Sequence, residues 1–253
     1  MKLSAESIRS RLHSRIIGKT IRCVDGCEST NDLAWKEALG GAPDGTAVFA
    51  EEQTKGRGRF GRTWAAPRGK AVLCSVVLRP EIDLERVPLV TALAALAAAD
   101  VVGDEARIRF PNDVLLQGRK IAGILVEARF ISSRPDVFIV GIGLNVNAHP
   151  PDLNATSLGE DVSRVATARA LLEGLDVWYG RLDGPLREFR KAWRERSFIL
   201  EKRVRIRQNG RAFTGVVEEI DPIDGLVLRL ESGHPRTVRS EHVEHLEVLG
   251  PTT

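Results

Sequence analysis

Residues 121–130, IAGILVEARF, and residues 137–146, VFIVGIGLNV, are two apolar runs of strand length around the polar stretch Ser132-Ser133-Arg134-Pro135. Apolar runs bounded by turn residues read as paired central strands of a sheet. Working outward, Gln117-Gly118 marks a hairpin turn. It leads back to short strands over residues 114–116 and 107–110, with Pro111-Asn112-Asp113 between them. Residues 71–78 form another continuous apolar strand, and residues 87–102 are an Ala-rich buried helix. Residues 20–25 and 46–53 read as further strands. Between these two, Ser29-Thr30-Asn31-Asp32 precedes Leu33, Trp35 and Leu39, the signature of a capped helix start. A short helix opens the chain over residues 4–13, and helical patterning returns over residues 167–198, broken near Gly184-Pro185.

After Leu200 the texture changes. Val204 and Ile206 on one side, and Val216 and Val217 on the other, flank Asn209-Gly210, a two-residue hairpin signal. Asp224-Gly225 marks a second turn before residues 226–230. Short strands at this spacing predict a small β-barrel or sandwich, with a domain boundary near Ile199. The expected division is 1–198 and 199–253.

The chain has 253 residues, 43% hydrophobic and 28% charged, with a formal net charge of +3. That composition suits one sizeable core with a satellite domain. The small basic excess fits anionic small substrates without demanding nucleic acid. Three cysteines (Cys23, Cys27 and Cys74) provide no disulfide framework, and a reducing, cytoplasmic compartment is the simpler expectation. The histidines are scattered and no second ligand pair follows Cys23 and Cys27, so no metal site is expected. No signal peptide is read at the start. The most apolar run is too short for a bilayer and is interrupted by Thr91 and Asp100, so no membrane association is expected.

Four clusters carry chemistry. Gly56-Arg57-Gly58-Arg59-Phe60-Gly61-Arg62 combines glycines, which let backbone approach a ligand, with guanidinium forks suited to carboxylate and phosphate. The same residues would also make a solvated basic loop or an RNA contact. Arg109-Phe110-Pro111-Asn112-Asp113 offers a neutral and an acidic oxygen beside a strand end, for Mg²⁺ or a nucleotide hydroxyl, and is equally an ordinary turn. Lys120 enters an apolar strand, where an ammonium needs an anionic partner unless it snorkels to the surface. Gly141 and Gly143 weaken a strand unless a flat group or a helix must approach closely.

Taken together and in this order, GRGRFGR, PND, GRKIAGILVE and GIGLNVN, with the Ser29-Thr30-Asn31 start, resemble the biotin–protein ligase family over residues 28–147. The resemblance implies an α/β fold: a mixed-sheet, class II synthetase-like catalytic domain followed by a small C-terminal SH3-like β-barrel. The ligase-only type, without an N-terminal DNA-binding domain, is expected. Carried over by motif, Ser29, Thr30, Asn31, Gln53, Arg57, Gly58, Arg59, Lys120, Gly123, Gly141 and Gly143 would hold biotin. Arg59, Arg62, Trp64, Arg109, Asn112 and Asn145 would face the nucleotide, and Arg59, Lys120 and Arg109 would be catalytic. The family's usual Lys-Trp before Pro-Asn-Asp is here Arg109-Phe110, which keeps the charge but not the compact ammonium.

The implied chemistry uses biotin, ATP and Mg²⁺. The biotin carboxylate attacks the α-phosphate to give biotinyl-5′-AMP and pyrophosphate. A lysine of a biotin carboxyl carrier domain then displaces AMP. A monomer or homodimer is expected, without a nucleic-acid partner. Two rivals share some of these features: a lipoate or octanoyl ligase or transferase of the same fold, and a nucleic-acid-binding protein using the arginine loop and Lys202, Arg203, Arg205, Arg207 and Arg211.

Overall fold

The computed structural model describes residues 2–132, 134–151 and 153–250; Ser133, quoted above in the turn, lies outside them. The element order is α1 (Ala5–Arg9), β1 (Ile21–Val24), α2 (Thr30–Leu39), β2 (Ala47–Ala50), β3 (Ala71–Leu78), α3 (Pro88–Val102), β4 (Ala106–Arg109), β5 (Asp113–Leu116), β6 (Arg119–Ile131), β7 (Arg134–Asn145), α4 (Arg164–Tyr179), α5 (Leu186–Glu195), β8 (Arg203–Gln208), β9 (Arg211–Asp221), β10 (Gly225–Leu230), β11 (Pro235–Val238) and β12 (His245–Val248).

Strands β1 to β7 make one mixed sheet in the order β1-β2-β3-β7-β6-β5-β4. β1 and β2 run parallel and the remaining pairs antiparallel. β6 and β7 are long and central, as their apolar runs predict. Side chains alternate across a strand, so the sheet has two distinct faces. One carries Phe49, Cys74, Val76, Phe138 and Val140, and packs in the main core with the Ala-rich α3 and with α4. The other carries Val48, Val77, Val137 and Ile139, and is covered by Ala34 and Ala38 of α2. No helix among the described residues is long and apolar enough to cross a membrane.

The helix start at Ser29 forms as read: its hydroxyl accepts from the Asn31 N–H at 3.3 Å. Gln117 and Gly118 both take positive φ (51° and 75°), as do Asn209 and Gly210 (51° and 72°), so both two-residue hairpin turns form. The strand expected over residues 46–53 ends at Ala50, because the chain leaves the sheet there to build the arginine loop. The helical stretch divides into α4 and α5, with Pro185 at the N-cap of α5.

Strands β8 to β12 form a second, antiparallel sheet in the order β11-β10-β9-β8-β12. Its outer strands β11 and β12 escape the sequence reading because they are short and mostly exposed; in β11 only Val238 is buried. Ile199, Val204, Ile206 and Val217 belong to the same apolar cluster as α3, α4 and α5. This packing brings the Ser240 and Glu244 carbonyls within hydrogen-bond reach of Arg59 and Arg62.

Candidate active site

Along the α2 face of β7, inward-facing residues change from Val137 and Ile139 to Gly141 and Gly143. Alternation then places Gly141 opposite Ser75 of β3 and Leu125 of β6, and Gly143 opposite Gly123. Beneath the first turn of α2 and the Trp64 indole, three glycines leave bare backbone. That patch floors a cavity of about 180 Å³. The vacancy is used: a Cβ on Gly141 would run into the Asn31 side chain, and one on Gly143 into the indole of Trp64. A Cβ on Gly123 would lie 2.8 Å from Trp64 Cζ3. Even methyl groups would therefore displace the side chains that stand on this floor.

One end of the cavity is neutral. The Thr30 N–H and hydroxyl both donate to Gln53 Oε1, at 2.7 and 2.9 Å. The Ser75 hydroxyl lies 2.7 Å from both Thr30 Oγ1 and Asn31 Oδ1. Asn31 is 3% exposed, yet its Nδ2 has no protein partner. A buried amide donor without an acceptor carries a desolvation penalty of about 1–3 kcal/mol, and a ligand carbonyl would remove it.

The other end is charged. Asp113 lies between two cations, 2.6 Å from Arg109 Nη2 and 2.5 Å from Lys120 Nζ. Burial pushes its carboxyl up, but Lys120 and Arg109 outweigh that and hold it below the usual carboxylate range. Lys120 Nζ also lies 5.3 Å from the Trp64 ring centre, a cation–π contact. Asn112 is pinned by its Nδ2 to the Ile124 carbonyl at 2.8 Å.

The arginine loop arches over both ends and is tied at each flank. Arg57 forms a two-pronged contact with Asp32 (2.8 and 2.7 Å) and reaches Glu127 at 3.2 Å. Arg59 donates to the Ser240 carbonyl at 2.7 Å, and Arg62 to the Glu244 carbonyl at 2.5 Å. Burial and the neighbouring Arg62 lower the Arg59 pKa. At the loop's far end, the buried pair of Arg164 and Glu51 holds Gly69, whose carbonyl accepts from Arg164 at 2.6 Å. These contacts tie residues 57–69 to α2, β6, the Ser240–Glu244 segment and α4.

Of the expected site residues, Ser29, Thr30, Asn31, Gln53, Arg57, Gly58, Arg59, Arg62, Trp64, Arg109, Asn112, Lys120, Gly123, Gly141 and Gly143 line this one cavity. Asn145 does not. It is 2% exposed at the end of β7, with Nδ2 bonded to the Thr156 carbonyl and Oδ1 without a partner. The sequence reading passed over Ser75, although a serine inside AVLCSVVL was itself a signal. It weighed Asp113 but left it out of the site. It also missed Val243 to Leu246, which line the cavity from the second sheet and carry no motif.

Among the described residues, no cluster of three or more His, Cys, Asp or Glu side chains is arranged to hold a metal ion. The carboxylates lining the cavity are Asp113 and Glu244, and Asp113 is already paired with two cations. A resident metal does not fit this donor set.

The model of the biotin/lipoate A/B protein ligase family matches residues 24–145. The chain is 33% identical over 263 residues to the biotin–[acetyl-CoA-carboxylase] ligase of Mycobacterium tuberculosis, covering 96% of each protein. It is 38% identical over 185 residues to the bifunctional ligase/repressor BirA of Bacillus subtilis, covering 68% of this chain and 57% of that protein's length. The biotin protein ligase of Aquifex aeolicus, solved in complex with biotin and ATP, superposes with a TM-score of 0.76 at 25% identity, over 91% of this chain and 100% of that one. With its motifs gathered in one cavity and near-full-length similarity to a ligase of this kind, the chain belongs to the biotin–protein ligase family.

Proposed function

We propose that the protein activates biotin with ATP and transfers it to one lysine of a biotin carboxyl carrier domain. The observation that carries this reading is the single cavity with a neutral hydrogen-bonding end, a side-chain-free floor and a cationic end. A ligand with a polar ring system at one end and a carboxylate at the other matches that order.

In this reading Ser29, Thr30, Asn31 and Gln53 take the ring end of biotin, with the free Asn31 Nδ2 as a donor to its carbonyl. The bicyclic body lies against Gly123, Gly141 and Gly143, beside Trp64. The carboxylate meets Lys120, which exchanges Asp113 for the substrate. Arg59, Arg62, Arg109 and Asn112 face the nucleotide, and the buried Asn145 supports that side from behind. Cations aimed at the reacting oxygens offset repulsion between carboxylate and phosphate, an effect strongest in a site that excludes water. A carboxylate oxygen bonds to the α-phosphorus and pyrophosphate leaves. The lysine nitrogen then bonds to the acyl carbon and AMP leaves. Mg²⁺ would arrive on the nucleotide phosphates, and no step above requires a protein site for it.

Residues 1–198 are read as the catalytic unit and residues 199–253 as the second domain. The strand order of the second sheet, with a 3₁₀ turn at Ser240–His242 before the last strand, supports an SH3-like barrel. Biotin-dependent exchange of pyrophosphate into ATP, measured without any acceptor, tests the first half-reaction. No exchange with biotin, but exchange with lipoate, would move the assignment to the lipoate branch. Arg59→Gly, which opens the wall against residues 239–241, is expected to release adenylate and label lysines of unrelated proteins. Strict acceptor choice in that variant would remove Arg59 from adenylate retention.

A further inference from the structure

Arg59, Arg62 and Trp64 reach the candidate site from a small hairpin inside the arginine loop. Arg57 and Thr63 are bridged at its neck. The Gly58 N–H donates to the Arg62 carbonyl at 2.7 Å, and the Trp64 N–H to the Gly56 carbonyl at 2.9 Å. Phe60 and Gly61 turn the tip at positive φ, 55° and 71°. The neck is tight: a Cβ on Gly56 would lie 2.4 Å from the Trp64 carbonyl oxygen. A hairpin closed in this way moves as one piece, so whatever fixes its neck also sets where Arg59 and Trp64 stand.

The neck is fixed by Arg57, and both of its terminal nitrogens are engaged by protein carboxylates. Nη1 and Nη2 meet the two oxygens of Asp32 side by side, and Nη2 also reaches Glu127 Oε1 at 3.2 Å. The Trp35 indole N–H donates to the other Glu127 oxygen at 2.7 Å and steadies that carboxylate. A two-pronged guanidinium–carboxylate contact fixes direction as well as distance. Asp32 belongs to α2 and Glu127 to β6, so the neck is fastened to two elements of the frame. Asp32 directly follows Thr30 and Asn31, and one turn of α2 therefore sets both the neutral end and the hairpin.

Neither Asp32 nor Glu127 lines the candidate site. The side chains of Arg57, Asp32 and Glu127 are 39%, 40% and 26% exposed, and ion pairs this open to solvent add little to global stability. Their placement matters for orientation instead. We infer that Asp32 and Glu127 are positioning residues for the reaction: they hold Arg57, and through it the hairpin that keeps Arg59 and Trp64 over the activated intermediate. The inference rests on the ligase reading and extends it to residues outside the cavity.

The test uses the full-length protein with Asp32→Ala, Glu127→Gln, Arg57→Met and the double variant Asp32→Ala/Arg57→Met. The readout is the rate at which preformed biotinyl-adenylate leaves the protein after a chase of unlabelled biotin, beside a thermal melt without ligands. Asp32→Ala should speed release on the order of fivefold, the effect of losing one partly exposed two-pronged ion pair. Glu127→Gln, which keeps an acceptor for Trp35, should act in the same direction and less strongly. Melting without ligands should barely move in either. In the Arg57→Met background Asp32→Ala should add nothing, because the carboxylate acts only through Arg57. Unchanged release in both Asp32→Ala and Glu127→Gln would overturn the inference while leaving the ligase reading intact. Additive effects in the double variant would also overturn it, since Asp32 would then act through α2 itself. A wild-type protein that makes no adenylate from biotin and ATP would remove the ligase reading, and this inference with it.

Discussion

The neutral and charged ends of the candidate site solve opposite problems. At the neutral end, Thr30, Gln53, Asn31 and Ser75 satisfy one another at 2.7–2.9 Å and leave a single buried donor open. That geometry exists before any ligand arrives. At the charged end, Arg109 and Lys120 stand close enough to share Asp113. Two clustered cations would repel each other and resist burial without that carboxylate. The neutral end is preorganised, whereas the charged end holds an internal counter-ion that an anionic substrate must replace. Specificity can therefore be built into the first, while the second must exchange partners during a turnover.

The largest effect should come from breaking the exchange at Lys120. Lys120→Met is expected to weaken biotin binding tenfold to a hundredfold, from a charge-assisted hydrogen bond worth about 1.5–3 kcal/mol. Calorimetric titration reads it directly, and intact affinity would show that Lys120 is held by Asp113 for structure alone.

Asp113→Asn comes next and sharpens the contrast. Leaving two partly buried cations without a counter-charge should lower the stability of the ligand-free protein by about 1–3 kcal/mol. Biotin and ATP should restore more of that loss than they add to the wild type, because they bring the missing negative charge. Thermal melts with and without ligands decide it, and an equal deficit in both conditions would mean that no exchange occurs. The same carboxyl has a pH signature. Its folded pKa is held below the ordinary range, so its stabilising contribution is full above pH of about 4 and is lost as pH falls through the folded value. Asp113→Asn should flatten the acid limb of a stability–pH curve.

The smallest effect is expected at the neutral end. Ser75→Ala removes one hydroxyl that braces Thr30 and Asn31, a loss of about 1 kcal/mol or roughly fivefold in biotin affinity, without altering the pH profile. A change in pH dependence would blur the distinction between the ends.

Much of this was legible in the chain itself. The apolar runs at 121–130 and 137–146, the Ser29 cap, and the turns at Gln117-Gly118 and Asn209-Gly210 are local signals, governed by side-chain periodicity and backbone preference within a few residues. The spacing of Gly141 and Gly143 by two already placed both on one face of a strand. Only the tertiary structure decided that Gly123 lies opposite Gly143, since register is set by pairing across strands. It also decided that Asp113 neutralises both Arg109 and Lys120, and that the arginine loop is tied to carbonyls at Ser240 and Glu244, 181 and 182 residues along the chain. Backbone carbonyls have no side-chain signature, and a counter-ion is recognised only by distance. Such partners become visible once folding has brought the two sheets together.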